Sequence, residues 1–293
     1  MSRADDAVLV VDKPGGMTSH DVVARVRRFA GTRKVGHAGT LDPMATGVLV
    51  LGIGRATRLL GHLMAGEKAY EATIRLGEAT TSDDADGDSL GVVDATSLNR
   101  ERIEHELAAF VGDIEQVPSS VSAIKVDGRR AYERVRAGEQ VRLAGRQVQI
   151  AELAVRDVSP AGRRVDVDVS VTCSSGTYIR AIARDLGLAT GVGGHLVRLR
   201  RTRVGAFTLD DAASLASLGD HWSTTPMAEV ARRCFPVVQV DDDQARRVRT
   251  GRPVHGMPLP ANGPTAVLDA TGSFLALYER AGDDAKAVAV FVG

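Results

Sequence analysis

Residues 35–47, VGHAGTLDPMATG, constrain the chain more than any other stretch. They carry one carboxylate, Asp42, inside a run of small residues. Gly36, Gly39 and Gly47 permit backbone conformations that side chains forbid. Pro43 drives Asp42 out of the helical region into an extended conformation. The apolar run Val48, Leu49, Val50 and Leu51 follows, long enough for a buried strand. The stretch therefore predicts a tight glycine-lined loop that leads into the core and presents a single Asp. Small neighbours let another molecule's backbone approach that carboxylate. An isolated loop of Gly, Asp and Pro reads more simply as a turn. The rest of the chain decides between the two.

Of the 293 residues, 44% are hydrophobic and 25% charged, ordinary for a globular chain with room for one large domain or two unequal ones. The first residues lack the basic start and long apolar centre of a secretion signal, and no apolar run approaches the ~20 residues that span a bilayer. The two cysteines, Cys173 and Cys234, are far apart and belong to no Cys-x-x-Cys pair, which argues against zinc, disulfide and redox roles. Cys173 reads as a small buried residue. A cytoplasmic location and no membrane association are expected. The formal net charge is zero, but basic segments at 1–60, 118–150 and 176–206 alternate with acidic ones at 61–117 and 207–293. Gathered on one face, the basic segments suit a polyanion. Scattered over the surface, they are solvated charge.

In chain order, residues 7–12 read as a short buried strand, broken by Pro14, Gly15 and Gly16. Thr18 or Ser19 can cap a helix over 21–29, with Val22, Val23, Val26 and Phe29 on one side. A strand over 47–53, a short helix over 55–64 and a strand over 68–76 follow. Residues 77–95 read as a loop. Its Asp83, Asp84, Asp86 and Asp88 miss the calcium-loop spacing and read as a solvated acidic turn. A helix over 97–110 is capped by Ser97. Residues 118–146 form a basic surface arm with Lys125, Arg129, Arg130, Arg134 and Arg136. Residues 147–158 and 165–173 alternate as strands. A helix carries Ile179, Ile182, Ala183 and Leu186. Residues 195–203, HLVRLRRTR, read as a strand with a basic outer face. Beyond Phe235, short apolar runs between Gly, Pro and Asp read as a small β domain joined by a helical linker.

The seven histidines form no ligand-spaced pair, and phosphate-loop, dinucleotide and nucleophile-elbow signatures are missing. Any chemistry must rest on Asp, Tyr, Arg and His. Read in order, the segments VDKPGGMTSHD, GHAGTLDPMATGVL, KAYEA, TSDDADG, CSSGTYIR and RLRRTRVG resemble the motifs of the TruB family, the bacterial tRNA pseudouridine-55 synthases. The resemblance runs continuously over about residues 7–210. The tail resembles the family's small RNA-binding appendage in size, position and β character.

The resemblance implies that Asp42 is the catalytic aspartate. Tyr70 would pack on the target uracil and take its C5 proton. Arg180 would pair with the aspartate, and His37 would hold the flipped nucleotide. Leu199 would form the apolar wall of the uracil pocket. Lys13 and Asp84 would be supporting residues. SDDADG carries one Asp more than the usual SDADG, so either Asp83 or Asp84 could take the supporting place. Bland alternatives stand beside these roles. Tyr70 and Leu199 suit a half-buried strand and a core. His37 suits a turn, and Arg180 could pair with Asp185 along its helix, though that spacing is poor.

The expected fold is a mixed α/β pseudouridine synthase fold of the α+β type, with a central, mostly antiparallel sheet, over residues 1–230. A PUA-like β domain is expected over 231–293. Residues 118–146 would close on the RNA. Lys125, Arg129, Arg130, Arg198 and Arg200 would contact it. The substrate would be the tRNA T-stem-loop and the protein a monomer without an obligate protein partner. The isomerisation oxidises and adds nothing, so no cofactor or metal is expected. A non-catalytic RNA binder and an Asp-nucleophile hydrolase are the rival readings.

Overall fold

A computed structural model describes residues 6–119, 125, 126, 129, 130, 143–219 and 222–292. The chain divides into two units. One contains Met1–Pro43, Gly47–Ala65 and Val204–Gly293. The other contains Met44–Thr46 and Gly66–Arg203.

The first unit is built on the strand Ala7–Lys13. It runs antiparallel to Thr46–Ile53, pairing Val10 with Val50 and Lys13 with Gly47, and parallel to the short Ala213–Ser214. Val35–His37 adds to the far side of Thr46–Ile53. Alternation then sorts the apolar residues onto two faces. Leu9, Val11, Leu49 and Leu51 pack with Val22, Val23 and Val26 of the helix Ser19–Ala30. Thr18 caps that helix, accepting from the Asp21 amide while the Asp21 carboxylate accepts from the Thr18 amide. On the other face Val8, Val10, Val48 and Val50 share a core with Ala266, Leu268, Phe274, Leu277 and Phe291.

The tail therefore closes over the first strands. It forms a five-stranded sheet in the order Val237–Gln239, Thr265–Leu268, Phe274–Ala281, Asp284–Val290 and Val254–His255. The helix Met227–Cys234 leads into it, as the sequence pattern predicts. This unit runs across residue 230, because the apolar face of the early strands is covered by late residues.

The second unit is a sheet in the order Gly194–Val204, Lys68–Leu76, Arg164–Cys173, Arg146–Ala161 and Gly112–Gln116. The last three of these pairings are antiparallel. The protein is thus mixed α/β with mostly antiparallel strands. The helix Ile179–Thr190 buries Ile179, Ile182, Ala183 and Leu186. A Cβ on Gly187 would lie 2.0 Å from the Gly194 amide nitrogen, so only glycine lets the helix and the following strand come so close.

Four expectations need correction. Residues 77–95 are not all loop, since Glu78–Thr80 and Ser89–Val92 pair as a hairpin around the acidic turn. The third helix is Arg100–Ala108, capped by Asn99 instead of Ser97, because the Asn99 side chain accepts from the Arg102 amide. The helix over 55–64 is a 3-10 turn, Gly54–Arg58, followed by one short α-helix, Leu60–Met64. The strand Gly194–Val204 does not keep all its arginines outside. Leu199 and Arg201 are two residues apart and share the inner face, so Arg201 is fully buried. In the arm, Lys125–Val126 and Arg129–Arg130 pair as a short hairpin. Arg134 and Arg136 lie outside the described residues.

Candidate active site

The Asp42 loop is fixed through its backbone on both sides of the carboxylate. On one side, Leu41 donates its amide to Ser19 Oγ at 2.9 Å, and Ser19 Oγ donates to the Leu41 carbonyl at 3.1 Å. On the other, the Pro43 carbonyl accepts from the Gly16 amide at 2.9 Å and from Lys13 Nζ at 3.2 Å. Lys13 is fully buried, and its ammonium also donates to the carbonyls of Met17 at 2.6 Å and Pro14 at 2.9 Å. The ammonium thus ties the PGGM turn to the loop. Gly39 at φ 98° and Gly47 at φ 102° bracket the stretch with backbone that a side chain would strain. Asp42 itself is half-buried. His37 ends the strand before the loop, and its ring meets that of His20 edge-on at 5.5 Å. His20 carried no signal of its own in the sequence.

In the second unit Tyr70 and Leu199 point inward from adjacent strands, 8% and 6% exposed. Tyr70 is registered opposite Val171. Arg180, in the first turn of its helix, is 5% exposed. It donates from Nη1 to the Ser82 carbonyl at 3.0 Å, and its Nε lies 3.5 Å from Asp84 Oδ2. The other Asp84 oxygen accepts from Ser82 Oγ and, at 3.2 Å, from the Asp86 amide.

Asp83 faces elsewhere. It accepts from Ser119 Oγ, lies 3.4 Å from Arg184 Nη1, and takes a left-handed φ of 61°. Burial pushes its carboxyl up from the usual range, against the pull of Ser119 and Arg184. Of the two acidic residues that sequence could not separate, Asp84 stands on Arg180 and Asp83 on Arg184. Arg184 also holds Asp185 at 2.8 Å, which fills the partnership considered for Arg180.

The remaining candidates divide by surroundings. Arg198 is exposed, 3.5 Å from Asp168, and donates to Thr73 Oγ1 at 3.1 Å. Arg200 donates to Thr46 Oγ1 at 3.3 Å, four positions beyond Asp42. For Lys125, Arg129 and Arg130 only the hairpin backbone is described. Cys173 is 1% exposed and burial pushes its thiol up, so it stays protonated.

One buried group escaped the sequence reading. Lys68 sits two residues before Tyr70 on the same face, and its ammonium is brought down to about 8, first by burial and then by Arg201. The period of two that places Tyr70 inward was the signal for it.

Residues 27–179 match the N-terminal domain of the TruB family pseudouridylate synthases. Residues 180–237 match the C-terminal domain of tRNA pseudouridylate synthase B, and residues 235–292 the C-terminal domain of tRNA pseudouridine synthase II. The chain belongs to the TruB family. Among its relatives, the tRNA pseudouridine synthase B of Thermobifida fusca (strain YX) is 53% identical over 292 residues, covering 98% of this chain and 99% of that one. That of Nocardia farcinica (strain IFM 10152) is 56% identical over 287 residues, covering 97% and 92%. In the crystal structure of a Cbf5-Nop10-Gar1 complex, one chain matches this TruB protein with a TM-score of 0.75 and 27% identity, over 98% of this chain and 85% of that chain. A chain of an H/ACA RNP bound to a substrate RNA containing 2′-deoxyuridine matches with a TM-score of 0.73 and 26% identity, over 98% and 85%.

Proposed function

We propose that this TruB protein converts the T-loop uridine at position 55 of tRNA to pseudouridine, with Asp42 as the working carboxylate. Family membership supports the isomerisation of tRNA uridine. One observation supports the choice of residue. Both neighbours of Asp42 are pinned through their backbones while its side chain is half-buried. A carboxylate between two pinned neighbours sits at a fixed place on the backbone, and fixed geometry is what a reacting group needs.

The reaction breaks the N1–C1′ bond, turns the uracil over and joins C5 to C1′. N1 gains a proton and C5 loses one, so atoms and electrons balance without a redox partner. Asp42 serves as nucleophile at C1′ or as base at the 2′ position. Arg180 is assigned as the cation that pairs with this carboxylate and orients it through charge-assisted hydrogen bonds. Tyr70 is assigned to stack on the base and to take the C5 proton, and Leu199 to wall the pocket. Base–aromatic stacking, worth ~1–3 kcal/mol, offsets part of the cost of flipping the nucleotide. His37 is assigned to the flipped nucleotide. Lys13 holds the loop, and Asp84 holds Arg180.

Lys125, Arg129, Arg130, Arg198 and Arg200 are assigned to the RNA backbone, with residues 118–146 as a closing arm and 231–293 as a second RNA-contacting domain. We read the protein as a cytoplasmic monomer. Among the described residues no helix is long and apolar enough to cross a membrane.

The test is tritium release from C5-labelled uridine in an unmodified tRNA transcript. Wild type is expected to release it and Asp42→Asn to bind tRNA without release. Release by neither protein from a transcript that both bind would overturn the reading. Equal release by both would remove Asp42 from its role.

A further inference from the structure

Arg146 opens its strand opposite Gln116 of Gly112–Gln116. Both residues serve the turn before Arg180. The Gln116 side chain clamps the Tyr178 backbone, accepting from the Tyr178 amide at 2.8 Å and donating to its carbonyl at 3.0 Å. The Arg146 guanidinium lies over the Tyr178 ring, 4.6 Å from its centroid. The turn is pinned further by Ser174, whose amide donates to the Gln149 carbonyl at 2.8 Å and whose Oγ accepts from the Gln149 amide at 2.9 Å. Gly176, at φ 90°, leaves the turn open beside Nη1, which a Cβ there would approach to 3.5 Å.

Nε and Nη2 lie along one edge of the guanidinium plane. Both atoms are shielded from solvent and neither has a hydrogen-bond acceptor. These two N–H groups are the parallel pair with which arginine grips an oxyanion in bidentate fashion. A shielded cationic donor pair without an acceptor is costly to keep. Arg146 as a whole is only half-buried, and binding at that edge requires the guanidinium to turn on the ring until the edge meets solvent.

We infer that the Nε–Nη2 edge of Arg146 is a binding site for a phosphodiester of the RNA substrate. This rests on the reading of the protein as an RNA-modifying enzyme. A polynucleotide supplies one planar pair of acceptor oxygens per nucleotide. The aromatic ring beneath the guanidinium holds it ready at little entropic cost. Arg146 then anchors RNA at the turn that carries Arg180, and contributes affinity instead of chemistry.

The experiment compares wild type, Arg146→Met and Arg146→Lys. It measures tRNA affinity across a salt series, kcat at saturating tRNA, and thermal unfolding. Arg146→Met is expected to raise Kd about tenfold and to reduce the log–log salt slope by ~0.7–0.9, with kcat within twofold of wild type. Arg146→Lys keeps the charge and loses the fork, so it should retain the slope and recover only part of the affinity. An unchanged Kd and slope in Arg146→Met would overturn the inference, and a fall in kcat alone would assign Arg146 to holding Tyr178. If Arg146→Met does not fold, Arg146→Lys decides, and wild-type affinity in it overturns the proposal. Wild type that neither binds nor modifies tRNA would overturn this and the function together.

Discussion

The loop of Asp42 and the surroundings of Arg180 solve the same problem in opposite ways. Around Asp42 the neighbours are held through their backbone: a buried lysine gathers three carbonyls, a serine bridges the amide and carbonyl of Leu41, and glycines set the turn. Around Arg180 the neighbours are held by charge: a buried guanidinium stands on Asp84 and a carbonyl, with Asp83 and Arg184 beside it. A backbone frame does not depend on the charge it presents. An ionic frame does, because removing one partner strands the other without its counter-ion. The comparison predicts that removing charge costs less fold stability in the first region than in the second.

The largest effect is expected where the comparison is sharpest. Asp42→Asn should cost on the order of 10³-fold or more in turnover while shifting unfolding free energy by less than about 1 kcal/mol. Tritium release and urea titration on one preparation measure both. A large stability loss with Asn would mean that the carboxylate holds the loop, and the contrast would fail.

Asp84→Asn should do the reverse. Arg180 and Asp84 are both about 5% exposed, and the substitution takes a counter-charge away from a buried guanidinium that also donates to the Ser82 carbonyl. The expected loss is about 2–3 kcal/mol of stability, below the usual 3–5 because the pair is long at 3.5 Å. Urea unfolding reads it directly. A change under half a kcal/mol would mean that Arg180 is held by something other than this ion pair.

Much of this was legible in the sequence, and the misses share a cause. The strand Lys68–Leu76 and the helix Ile179–Thr190 were readable because one repeat sorts their residues into faces. The tight backbone of the loop around Asp42 was readable because its glycines set it whatever surrounds them. The choice between Asp83 and Asp84 was not, because it turns on a left-handed residue at position 83 and a bridge from Asp84 to Leu196. Arg201 was misplaced because three consecutive polar or basic residues, Arg200, Arg201 and Thr202, hide which of them continues the face of Leu199. Nothing in the segment around residues 97–99 separates Ser97 from Asn99 as a cap, since both side chains can accept from a helix amide.

Lys68 gives the second unit a pH signature of its own. Its folded pKa near 8 lies below the ~10.4 of an unfolded lysine, so above pH 8 the unfolded chain binds more protons than the folded one. Stability attributable to this group therefore rises with pH between about 8 and 10. The slope should be on the order of 1 kcal/mol per pH unit at most, and flat below 8. Lys68→Met should remove the rise, seen as a constant unfolding free energy across pH 8 to 10 relative to wild type. Parallel curves for the two proteins would show that the ammonium is not the source.

Asp83→Asn should be the smallest effect and the finest test of the contrast. Asn tolerates the left-handed backbone at this position, so the substitution changes charge with little strain. Burial disfavours the Asp83 carboxylate and holds its folded pKa above the unfolded one. The ionised side chain thus costs stability at neutral pH, a cost that wild type sheds as pH falls through the raised pKa. Asn removes it throughout, at the expense of the contact with Arg184, which the neighbouring Asp185 retains. The net change at pH 7 should lie within about 0.5 kcal/mol of zero. The difference from wild type should move toward destabilisation of the variant as pH is lowered from 7 to 4. If Asp83→Asn instead costs as much as Asp84→Asn, the two carboxylates act as one network. The assignment of Asp84 alone to Arg180 would then give way to a shared site.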